Sequence, residues 1–84
     1  MTLQNFIKKR KYLVWYTNNF DGLSPEAIVE ATLNYGNWDD VLKLIQILGI
    51  KETARIFKAQ ARRQRSNYRP EIKHYFTLYF QAHA

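Results

Sequence analysis

The chain has 84 residues, 46% hydrophobic and 15% aromatic, with a formal net charge of +6 and no cysteine. That length closes one hydrophobic core and not two, so residues 1–84 are expected to form a single domain. The apolar content excludes a disordered chain, and the absence of thiols excludes a disulfide framework and a thiolate zinc site. No apolar run approaches the roughly 20 residues of a bilayer span. The opening residues lack the charge order and the long apolar stretch of a secretory signal. The expectation is a cytoplasmic protein with no membrane partner.

The charge is unevenly spread. Residues 1–11 carry four basic groups and no acid. Residues 12–50 carry one base (Lys43) against five acids (Asp21, Glu26, Glu30, Asp39, Asp40), a balance of −4. Residues 51–84 carry eight bases against two acids, so the whole excess of +6 lies in the C-terminal part of the chain. A basic balance favours an anionic partner without naming one.

Residues 1–20 admit two readings. Phe6 and Ile7 with Tyr12 to Tyr16 form one helix crossing Lys8-Lys9-Arg10-Lys11, or Tyr12–Tyr16 is an extended or single-turn segment packed on the core. Its β-branched and aromatic residues do not decide between them. Asn18-Asn19-Phe20-Asp21-Gly22 is rich in turn formers.

Residues 24–84 are expected to be the helical core. The first clear helix opens at Ser24-Pro25-Glu26. Serine suits the N-cap, proline the first helical position and glutamate the positive end of the helix dipole. The helix should end at Gly36. A second helix follows from Asn37-Trp38-Asp39-Asp40, with Asn37 as cap. It is apolar nearly all round, which predicts that helix 38–48 is the central one.

The third helix is expected from about Lys51 to Gln64. At 100° per residue, Ile50, Ala54, Phe57 and Ala61 share an arc of about 60°, while Lys51, Arg55, Lys58, Arg62 and Arg65 share one of about 80° centred roughly 90° away. The basic arc contains no acid, Glu52 falling on another face, whereas a merely solvated face mixes signs. The fourth helix starts near Arg69-Pro70-Glu71. Its stripe of Ile72, Tyr75, Phe76, Tyr79, Phe80 and His83 is wide enough to bury. The expected core is Ile28, Ala31, Val41, Leu44, Ile45, Leu48, Ile50, Ala54, Phe57, Ile72, Phe76 and Phe80.

Catalytic constellations are nearly absent. His74 and His83 do not make a metal-binding pair of helical spacing, and no glycine-rich phosphate loop occurs. Glu26 and Glu30 stand at i,i+4, and ordinary surface charge accounts for them. Ser24 and Ser66 read as cap or turn residues. The chain is therefore expected not to be an enzyme and to need neither cofactor nor metal.

The basic ridge of Lys51, Arg55, Lys58, Arg62 and Arg65, extended by Arg63 and Arg69, is the candidate site for a partner or for nucleic acid. Arginine's planar fork suits phosphate and carboxylate oxygens. Helix two, Leu48-Gly49-Ile50 and the basic helix look like a helix-turn-helix. The register is only partly right, because the apolar Ala54 and Phe57 fall one position before the expected anchors. The other partner class is a protein with an acidic surface, to which the thirteen aromatic residues offer interface material.

The stretch Leu23-Ser24-Pro25-Glu26-Ala27-Ile28-Val29-Glu30-Ala31-Thr32-Leu33-Asn34-Tyr35-Gly36-Asn37-Trp38-Asp39-Asp40 carries a family resemblance. With an aromatic segment like Tyr12–Tyr16, a Leu44–Gly49 helix end and an aromatic helix like Asn67–Phe80, it resembles small bacterial all-helical proteins of mostly unassigned function. Such proteins are often encoded beside nucleotidyltransferase toxins of abortive-infection type. The resemblance covers about residues 12–82 and implies an antitoxin that binds and neutralises such a toxin. The basic helix would sit against the carboxylates with which a nucleotidyltransferase holds its metal ions. The expectation is an all-α domain of four to five short helices that works as a non-catalytic, antitoxin-like binding module, with a helix-turn-helix DNA-binding regulator as the alternative.

Overall fold

The helices begin where the sequence supplies a cap. In the computed structural model, which describes residues 2–63 and 66–84, the Thr2 hydroxyl accepts from the Asn5 amide and opens α1 (Leu3–Lys8). Ser24 accepts from the Ala27 amide and Pro25 takes the first position of α2 (Pro25–Tyr35). Asn37 and Asp40 exchange bonds at 2.9 and 3.1 Å, a reciprocal capping box that starts α3 (Trp38–Leu48). Gly49 alone joins α3 to α4 (Ile50–Ala61). Pro70 opens α5 (Pro70–His83). Single 3-10 turns occupy Lys11–Leu13 and Phe20–Gly22, and no strand occurs among the described residues. The fold is a small all-α domain with a radius of gyration of 12.0 Å, as expected for this length.

Residues 1–20 resolve in favour of a single-turn segment. Lys9 and Arg10 separate α1 from the turn at Lys11–Leu13, and Leu13 and Val14 are then buried with no exposure. Phe6 and Ile7 are equally hidden. Tyr12, Trp15 and Tyr16 stay more than half exposed.

The centre of the domain is formed by α2 and α4, not by α3. Helix α4 packs against α2, α3 and α5 and buries Thr53, Ala54, Ile56, Phe57 and Gln60. Helix α3 buries only Asp40, Val41 and Leu44; Leu42 is exposed, and Ile45, Ile47 and Leu48 are half-buried. Helix α3 thus packs on α1, α2 and α4 but leaves part of its apolar surface open, Leu42 being exposed. Phe57 sits within 5.1–6.2 Å of the rings of Tyr68, Phe76 and Phe80. Emptying that position would cost about 3–5 kcal/mol.

The other expected core positions divide. Ile28, Ala31, Val41, Leu44, Ala54, Phe57, Phe76 and Phe80 are buried; Ile45, Leu48, Ile50 and Ile72 pack at its margin. The stripe of α5 is narrower than its spacing suggests. Only Phe76 and Phe80 are buried, Tyr75 is half exposed and His83 is exposed, because α5 packs mainly on α4.

Long-range hydrogen bonds lock the frame. Gln60 Nε2 donates to the Glu26 carbonyl at 2.8 Å, and the Tyr68 hydroxyl donates to Gln60 Oε1. Asn34 donates to the Asn67 carbonyl at 3.2 Å and accepts from the Arg69 amide, tying the approach to α5 onto α2. Among the described residues, no buried side-chain nitrogen or oxygen lacks a partner.

Candidate functional site

The basic residues of α4 follow one another along the helix, and one of them is paired with an acid. Lys51 lies in the first turn of the helix and Arg62 caps its end, about 16 Å further along the axis. Arg55 is committed to Glu52, donating from both Nε and Nη2, the latter at 3.0 Å. The bond from Arg55 lowers the Glu52 carboxyl's pKa, and the carboxylate raises that of the guanidinium. The acid-free ridge is thus corrected. Glu52 stands three residues before Arg55, close enough on the helix surface to pair with it.

Arg69 is not on α4. It is the N-cap residue of α5, and its guanidinium stands 5.1 Å from the centre of the Tyr35 ring. Arg63 is exposed just beyond the end of α4, and Arg65 lies outside the described residues.

Lys58 and Arg62 come together with a residue of another helix. They line a cleft between α4 and α5, of about 420 Å³, whose opposite wall carries Lys73, Thr77 and Gln81. Its floor is Phe57, Ala61 and Phe80, with both phenylalanines almost completely hidden from solvent. No acid lines it, and among the described residues none of the three cations forms an ion pair. An apolar floor ringed by three positive groups accommodates an apolar side chain and the carboxylates or phosphates beside it.

The sequence did not point to Lys73. It lies seven positions before Phe80, at the head of a polar row with Thr77 and Gln81 that borders the aromatic stripe. That row gains meaning only once α5 is laid against α4. The two histidines contribute nothing to the cleft. Among the described residues, no group of three or more His, Cys, Asp and Glu could hold a metal. Among the described residues, no helix is long and apolar enough to cross a membrane.

The chain matches no known protein family, no curated protein and no solved structure.

Proposed function

We propose that this chain is a non-catalytic binding module whose α4–α5 cleft receives an acidic segment of a partner protein, and that it acts as an antitoxin against a nucleotidyltransferase-type toxin. The supporting observation is the cleft itself: Lys58, Arg62 and Lys73 surround the apolar floor of Phe57 and Phe80 with no acid among them. Such a surface holds an apolar anchor and repays its flanking negative charge with three cations. The sequence resemblance supplies the antitoxin part of this reading. The test is co-expression with a nucleotidyltransferase encoded beside this chain. The wild type restores growth, and a variant with Lys58→Glu, Arg62→Glu and Lys73→Glu does not, its helical CD spectrum being unchanged. Rescue by the triple variant would place the contact elsewhere, and failure of the wild type to rescue would sink the antitoxin reading.

A helix-turn-helix role rests on a different observation, the direct α3–Gly49–α4 joint with Lys51, Lys58, Arg62 and Arg63 exposed along the second helix. It requires binding to duplex DNA with a steep loss of affinity as salt rises. No binding at about 50 mM salt would remove it.

A further inference from the structure

The acidic middle of the chain has a cavity of opposite character. Trp15, Tyr16, Tyr35, Glu30, Asn34 and Asn67 surround a space of about 310 Å³ between the segment after Val14 and the side of α2. The Trp15 ring stands nearly perpendicular to both tyrosines, at 82° and 5.9 Å from Tyr16 and at 81° and 5.1 Å from Tyr35. Trp15 thus meets each tyrosine edge to face and forms a corner with it, not a stack. The same cavity holds a carboxylate, and Lys43 is the only base in residues 12–50.

We infer that this corner binds an alkylated ammonium cation, such as a trimethylammonium group. Aromatic faces attract cations through the ring quadrupole, and weakly hydrated cations with an apolar shell gain most from such walls. The Arg69 guanidinium already stands over the Tyr35 ring, so the exposed Trp15 and Tyr16 rings are the walls left for a further cation. Glu30 supplies the counter-charge and is held in place by Asn67, whose side-chain amide donates to Oε1 at 3.1 Å. Its other oxygen has no hydrogen-bond partner among the described residues.

The corner is also built in advance of any ligand. Leu13 and Val14, immediately before Trp15, are fully buried anchors. Asn34 ties the backbone of residues 67 and 69 to α2. Binding then needs little ordering of the chain, which favours even a small ligand. This site uses none of the cations of the α4–α5 cleft, so the two readings stand or fall separately.

The test is a titration of the full chain, labelled with nitrogen-15, with choline chloride at constant ionic strength. The Trp15 indole and the amides of residues 30–35 and 67 are followed. Saturable shifts confined to these signals are expected. The neutral isostere 3,3-dimethylbutan-1-ol, which has the same shape without the charge, should bind about tenfold more weakly. Trp15→Leu should weaken choline binding by a similar factor, and Glu30→Gln by several-fold. Trp15 is 65% exposed, so its replacement leaves the core intact. Equal binding of choline and the isostere, shifts that do not saturate, or unchanged affinity in Trp15→Leu would each overturn the site. A trimethyllysine peptide binding more tightly than choline would assign the cation to a protein side chain, and the reverse order to a small molecule or a headgroup.

Discussion

Arg10 and Asp40, thirty residues apart, meet at 2.8 Å with side chains that are only 12% and 5% exposed. The contact joins the end of the N-terminal segment to the first turn of α3. Tyr12 adds a hydrogen bond to the other carboxylate oxygen at 2.7 Å, the same oxygen that caps Asn37. One carboxylate thus holds a helix start, an arginine and a tyrosine. Removing it leaves a largely hidden guanidinium unpaired, so Asp40→Asn should cost about 3 kcal/mol in denaturant unfolding. A loss below about 0.5 kcal/mol would mean that the pair adds nothing beyond its desolvation cost.

The same residue gives a pH dependence. Burial pushes the Asp40 carboxyl up, but hydrogen bonds from Tyr12, Arg10 and the Asn37 amide outweigh it and hold the pKa below the ordinary 3.8. A carboxyl with a depressed pKa in the folded state stabilises the fold above its unfolded pKa, and that stability is lost as pH falls through the folded one. The stability gap between wild type and Asp40→Asn should therefore be constant at neutral pH and close as pH drops below about 4. Chemical unfolding at a series of pH values reads it directly, and a gap that stays constant down to pH 2 contradicts the assignment.

Tyr68 gives the opposite end of the pH scale. Burial, reinforced by the charge of Glu30, raises its phenol above the ordinary 10.0. The unfolded chain then releases a proton near pH 10 that the native chain keeps, so stability should fall as pH rises beyond 10. Tyr68→Phe should reduce that alkaline loss. At neutral pH it should itself cost about 1–3 kcal/mol, because Gln60 Oε1 loses its donor while remaining buried. Thermal unfolding of both proteins at pH 7 and pH 11 tests the two statements together.

Gly49 adopts φ 86° and ψ 147°, a combination that is close to glycine-only, while nothing lies within 4 Å of where a Cβ would stand. Gly49→Ala should therefore destabilise by about 1–3 kcal/mol through the backbone alone. A neutral substitution, measured by the denaturant midpoint, would show that α3 and α4 can be joined in another conformation.

Arg55, paired with Glu52 outside the cleft, separates from the cations that line it, which are unpaired among the described residues. Arg55→Gln should leave partner affinity nearly unchanged, because its guanidinium is already held by Glu52. Arg62→Gln and Lys73→Gln should each weaken binding several-fold, read by calorimetry with the partner. Equal losses at all three positions would restore a continuous ridge.

The starts of α2, α3 and α5 were legible in the sequence because capping is local: Ser24-Pro25, Asn37 with Asp40, and Pro70 each state a boundary within four residues. Burial was less legible. Helix α4 hides Thr53 and Gln60, polar residues whose partners, the Gly49 carbonyl, the Glu26 carbonyl and Tyr68, become visible only in the folded chain. Counting apolar residues therefore ranked α3 above α4. The cleft was half legible. Lys58 and Arg62 follow from helical spacing, whereas Lys73 belongs to another helix and no periodicity links the two. The angle that put Glu52 on a separate face also missed that an i,i+3 pair bridges neighbouring faces.

Phe6 and Phe80, both in the hidden interior at 0% and 1% exposure, stand near opposite extremes of the described chain. During synthesis Phe57 emerges before Tyr68, Phe76 and Phe80, the three rings that enclose it. A nascent chain that has reached only α4 leaves the Phe57 ring without the three aromatic neighbours that enclose it. That enclosure is complete only once α5 has also left the ribosome. Until then the domain's half-built centre is the surface that a chaperone would recognise.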